Sequence, residues 1–230
     1  MKYLNLIIIS ILILVLAIFG KDIIVYFLNS TGILKDTGAV IESISLGGDM
    51  KIFIDGVEKG VVRGSQSKFE LDGISNGVHK VELSKISDLP FPKFTTTLNF
   101  LDGFATTVAY EIGPSESVSQ GWTIEPVEKD SVSDQSTIEI ITNIESSSVK
   151  LFDEDTNGEI KPLGESVNPT YNLDFKSGYK VSIEKDGYLP VTFNIFGYDA
   201  GSEKILEKAK KYNYIIKVYL FELPLKINYL

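Results

Sequence analysis

The chain has 230 residues, 43% hydrophobic and 23% charged, which excludes an intrinsically disordered protein and leaves room for one or two domains plus an appendage. Its net charge of −9 lacks the concentrated lysine and arginine that grip a phosphate backbone, so nucleic acid is excluded as a partner. With no cysteine and a single histidine, the chain also excludes a disulfide framework, thiolate catalysis and a zinc site.

Residues 4–19, LNLIIISILILVLAIF, are apolar apart from Asn5 and Ser10, and residues 23–28, IIVYFL, resume the run after Lys21 and Asp22. As one helix, residues 4–28 reach roughly 37 Å at about 1.5 Å per residue, enough to cross a hydrocarbon core of about 30 Å. Lys21 then lies near the far interface, where a lysine snorkels, and Tyr26 faces the headgroups. A cleaved signal peptide is the competing reading, but a cut after Gly20 needs a small residue where Ile18 stands. The expectation is an uncleaved anchor over residues 1–30, with a short cytoplasmic tail and the acidic bulk of the chain exported.

Beyond it the pattern becomes alternation, in KIFI (51–54), KFEL (68–71), HKVEL (79–83) and TTTLNF (95–100), with glycine, asparagine and aspartate between the runs. Such alternation predicts half-buried antiparallel strands joined by tight turns. The expected fold class is all-β: two tandem small antiparallel β-sandwich domains after one transmembrane helix. The domains are placed at 38–113 and 137–230. Between them, 114–136 reads as an acidic linker with a possible short strand around Trp122, Ile124 and Val127. After the second sandwich strands, 202–212 reads as a short helix, and 212–230 returns to strand character that must be covered by a sheet or a partner.

The two halves are copies of one pattern. Lys51, Ile52 and Phe53 correspond to Lys150, Leu151 and Phe152; Phe69 and Leu71 to Tyr171 and Leu173; Lys80, Val81 and Leu83 to Lys180, Val181 and Ile183. The stretches FIDGVEKG (53–60), FELDGISNGVHKVELSK (69–85) and YNLDFKSGYKVSIEKDGYLPVTF (171–193) resemble the PEGA domain, most specifically at GYKVSIEKDGY (178–188). The Pro-Glu-Gly-Ala tetrapeptide that names the family is absent from both copies. The resemblance implies an extracytoplasmic β-sandwich of bacterial and archaeal surface proteins.

The one metal-like motif is FDEDTNGEIKPLG (152–164), which sets Asp153, Asp155, Asn157 and Gly158 in the order of a calcium-hand loop. It departs from the hand at the twelfth position, Gly164, where a bidentate glutamate is required, and its flanks are strands. A looser calcium loop on a hairpin is one reading. The other is a plain type I′ turn at Asn157-Gly158, matching Asp55-Gly56 at the corresponding point of the first copy, which has no acidic cluster. No other cofactor is expected. His79 reads as a half-exposed strand residue, Trp122 as a packing residue rather than a sugar platform, and Tyr188 as a corner or core residue. Lys204 to Lys211, mixed with glutamates, reads as a solvated helix face.

These observations predict a non-enzymatic, membrane-anchored surface protein held by residues 4–28. Its role would be structural or adhesive, with an envelope protein or surface polymer as partner. An extracytoplasmic subunit of a sensory or secretion assembly is the second reading.

Overall fold

The computed structural model describes residues 39–64, 68–102, 104–129, 136–154, 156–164, 166–173, 178–195 and 212–223. The expected anchor over 4–28 lies outside them, as do Asp155 and, apart from Tyr212, the expected helix over 202–212. Among the described residues no helix is long and apolar enough to cross a membrane.

The first copy supplies seven strands: β1 (Ala39–Ser45), β2 (Met50–Ile54), β3 (Val57–Val62), β4 (Phe69–Ile74), β5 (Gly77–Lys85), β6 (Phe94–Phe100) and β7 (Ala105–Glu111). A 3-10 turn (Glu116–Val118) leads to β8 (Gln120–Glu128). The second copy supplies β9 (Ser136–Thr142), β10 (Ser148–Asp153), β11 (Glu159–Ile160), β12 (Thr170–Leu173), β13 (Tyr179–Glu184), β14 (Val191–Ile195) and β15 (Tyr212–Tyr219). Burial follows the period of two that the sequence carries: in β14, Val191, Phe193 and Ile195 are buried while Thr192 and Asn194 are exposed.

The strands form three sheets. The four-stranded sheets repeat one order, β3-β2-β5-β6 and β11-β10-β13-β14. The third runs β12-β9-β15-β8-β7-β1-β4, so that β4-β1-β7 and β12-β9-β15 are again equivalent. β8 stands between them, antiparallel to β7 on one side and to β15 on the other. The stretch 114–136 thus carries a nine-residue strand at the centre of the longest sheet, and that strand makes the two copies continuous.

Alternation along β8 puts the two hydrophobic cores on opposite faces of this sheet. Trp122 and Ile124 pack on the second core, around Ile138, Ile140, Phe193 and Ile216. Thr123 and Glu125, pointing the other way, share their face with Val108 and Tyr110 of the first core. Tyr219 of β15 crosses in the same sense, its ring 5.3 Å from Phe94 and 5.7 Å from Tyr110. Each four-stranded sheet therefore covers its own face, and β8 is covered on both.

Two expectations need correction. The strands are not purely antiparallel: β1 pairs with β7, and β9 with β15, in parallel. Tight turns make only antiparallel neighbours, but β1 and β7 are separated by five intervening strands, a crossover long enough for a parallel pair. The second-copy turn also differs. Asp55 and Gly56 both take left-handed φ, 50° and 79°, as a type I′ turn requires. Asn157 has φ 52° but Gly158 is not left-handed, and the hairpin closes where the Asp153 N–H donates to the Gly158 carbonyl at 3.0 Å. The loop is widened by side-chain bonds: the Thr156 N–H donates to Asp153 Oδ1 at 3.0 Å and the Gly158 N–H to Thr156 Oγ1 at 3.2 Å.

Candidate functional site

The register fixes which loops share an end of the structure. β1 begins at Ala39 and rises, with β7 and then β15 and β9 parallel to its direction, so that Ser45, Glu111, Thr142 and Tyr219 mark one end. That far end also holds the β9–β10 loop and the β13–β14 turn, because Ser148 pairs with Glu184. At the near end, where the chain joins the sheet at Ala39, lie the Asp55-Gly56 turn, His79 and the loop after Asp153, which pairs with Tyr179.

The far end carries a groove of about 400 Å³ lined by Ser146, Ser148, Glu184, Lys185, Asp186, Tyr188 and Pro190. Both walls are held by hydrogen bonds to the backbone. Asn143 Oδ1 accepts the Leu220 N–H at 2.9 Å, and the Ser147 hydroxyl donates to the Ile144 carbonyl at 2.8 Å, folding the β9–β10 loop back on itself. Ser146 is held at φ 59°, a left-handed conformation rare for serine, and its carbonyl accepts Lys185 Nζ at 3.3 Å. Opposite, Gly187 at φ 83° turns the chain so that the Tyr188 N–H reaches the Lys185 carbonyl at 3.1 Å. The segment after β15 pins that turn: the Leu189 N–H donates to Phe221 and the Leu223 N–H to Gly187, both at 2.8 Å.

At the near end the only histidine ties two loops together. Its Nδ1 lies 2.6 Å from Asp55 Oδ2, and its Nε2 lies 2.9 Å from the Ser75 carbonyl and 3.1 Å from the Ser75 hydroxyl. The other Asp55 oxygen accepts the Lys80 N–H at 2.9 Å. The His79 bond, followed by that backbone bond, holds the Asp55 carboxyl below its ordinary 3.8. Aspartate, histidine and serine stand in the order of a proton relay. Nε2 lies nearer the Ser75 carbonyl than the hydroxyl, however, and the three residues together clasp the β2–β3 turn to the β4–β5 loop.

The residues read as a calcium loop are divided. Asp153 and Asn157 are described and Asp155 is not; the Asp153 carboxylate bonds the Thr156 N–H, and among the described residues no three acidic or histidine side chains gather as a metal cluster. Trp122 stacks on Phe193, 4.4 Å between centroids and 6° between planes, which makes it a packing residue of the second core. Tyr188 is bridged to Glu222 and packs against the second core, so it is both corner and core residue, and it also lines the groove.

No protein-family model matches the chain, and no curated protein does. Among solved structures, the Bacillus anthracis TIE protein aligns with 80% of this chain and 34% of its own, at 11% identity and a TM-score of 0.27. A double mutant of the shaft pilin SpaA from Lactobacillus rhamnosus GG aligns with 82% of this chain and 98% of its own, at 8% identity and a TM-score of 0.24. A single mutant of the same pilin gives 10% identity over 82% and 99%, again with a TM-score of 0.24. The similarity is distant and structural. The chain spans about a third of the TIE protein chain it matches.

Sequence reasoning did not single out Ser146, Ser148, Glu184 or Asp186. Ser146 and Asp186 are polar turn residues and Ser148 and Glu184 stand at strand ends, and the GYKVSIEKDGY motif that contains two of them carries no ligand assignment. The usable signal was the acidic pair flanking Lys185 in IEKDGY, placed just where a strand gives way to a left-handed glycine.

Proposed function

We propose that the protein is a membrane-anchored surface component: residues 4–28 cross the bilayer, the tail before them is cytoplasmic, and the two copies, PEGA-like sandwiches, are exported. Its work is structural or adhesive, without catalysis, and its partner is an envelope protein or surface polymer met at the far end. The observation that supports this most is the continuous seven-stranded sheet. It joins both copies edge to edge, takes the chain in at Ala39 at one end and carries the groove loops at the other. A sheet paired along its whole width has no free linker about which the copies swing, which suits a stiff spacer. In this reading the 153–158 loop is a hairpin tip without a cation.

The topology has a direct test, because the chain contains no cysteine. Asp88 sits exposed in the β5–β6 loop at the far end. An Asp88→Cys variant should react with a membrane-impermeant maleimide on intact cells; labelling only after lysis overturns the exported orientation.

A further inference from the structure

We propose that the far-end groove binds a neutral oligosaccharide, an assignment that rests on the surface reading above and gives its partner a chemical class. The volume of about 400 Å³ falls within the roughly 300–1,000 Å³ of small-ligand sites. What singles the groove out is that it gathers hydroxyls and carboxylates, open to solvent, in one concavity. The side chains of Ser146, Ser148, Tyr188, Glu184 and Asp186 line it, the first two and the two carboxylates exposed, and among the described residues none of the five hydrogen-bonds or ion-pairs through its side chain.

The lining decides between ligand classes. An anion meets two carboxylates, while the one ammonium, Lys185, is committed to the Ser146 carbonyl. Tyr188 and Pro190 are the only lining residues with an apolar body, the other five being polar or charged, which disfavours a hydrocarbon. A divalent cation lacks a third acidic or histidine ligand among the described residues. A basic peptide would be drawn by the carboxylates but placed against Lys185. A neutral sugar satisfies the whole set: adjacent hydroxyls donate to Glu184 and Asp186 and accept from Ser148 and Tyr188. The walls are set before the ligand arrives, by the left-handed Ser146 and by the bonds that pin the 185–188 turn to the segment after β15.

Calorimetry tests this on the full-length chain in a zwitterionic, sugar-free detergent, titrated with neutral tetrasaccharides of glucose, mannose, galactose and N-acetylglucosamine and with a heptaarginine peptide. At least one tetrasaccharide should bind. Asp186→Asn and Ser148→Ala, both exposed changes, should each weaken it tenfold or more at an unchanged unfolding midpoint, while Asp88→Asn, in the other copy, should not. The proposal is overturned by no heat with any tetrasaccharide, by wild-type affinity in both groove variants, or by binding of heptaarginine in preference to every sugar. The maleimide experiment separates this from the surface reading. A chain that labels on intact cells but binds no sugar loses the groove assignment alone; one that binds sugar but labels only after lysis keeps the groove and loses the topology.

Discussion

Asp55 occupies a turn position with φ 50° and also anchors the clasp to His79 and the Lys80 N–H. Its carboxyl is held below 3.8 chiefly by the His79 bond and then by the backbone bond. A depressed carboxylate stabilises the fold above its unfolded value and loses that contribution as pH falls through its folded value. The affected window is therefore acidic, beginning near 3.8 and extending below it. Asn tolerates a left-handed φ, so Asp55→Asn removes the charge and keeps the turn. The urea midpoint of Asp55→Asn should lie below that of the wild type at about pH 5, and the gap should shrink as pH drops toward about 2.5. A gap that stays constant across that range would show that the charge is not what the clasp uses. The residue-level surprise lies elsewhere, at Ser43 and Thr123, whose hydroxyls are buried without a partner on either side of Val108. Such groups cost stability in a sheet interior, and no local pattern announces them.

The elements were legible wherever one face of a strand meets water. KIFI, HKVEL and TTTLNF alternate, and β2, β5 and β6 stand there. β8 resisted the same logic because the two cores take opposite faces of its sheet, so both of its sides are covered and its alternation carries no inside and outside. Glu125 shows the consequence. A carboxylate in WTIEPVE, it is only 6% exposed and reaches both copies. Its Oε2 accepts the Asn99 N–H of β6 at 2.8 Å, and its Oε1 meets Lys217 Nζ of β15 at 2.7 Å. Removing one member of a buried ion pair leaves the other charge stranded, a loss of about 3–5 kcal/mol when both are fully buried. Lys217 is 31% exposed, so water tempers the effect. Lys217→Met should destabilise by roughly 2 kcal/mol in urea unfolding, and adding Glu125→Gln should recover most of it. Additive losses in that double-mutant cycle would mean that the pair is not coupled across β8.

The whole molecule was legible as a repeat, and the repeat is real down to strand order. Its register is less regular than the residue correspondences imply: Ile52 pairs with Leu83, but Leu151 pairs with Val181 rather than with Ile183. The copies differ by two residues in how these strands slide, which keeps every side chain on its face and so leaves no trace in the hydrophobic pattern. The parallel pairs and the joining role of β8 link residues far apart in the chain, beyond the reach of local periodicity. What they imply for the molecule is rigidity between copies, and this separates a welded sheet from two beads on a linker. Spin labels at Asp88→Cys in the first copy and Glu145→Cys in the second, both exposed, report the distance between copies without background, since the chain has no cysteine. A single narrow distance distribution is expected. Ile124→Pro removes the N–H at the residue of β8 that pairs with Thr107 on one side and Ile216 on the other, and should broaden that distribution by loosening the weld. A broad or bimodal distribution in the otherwise unmutated chain would mean that the copies move independently, and the stiff-spacer reading would fall with it.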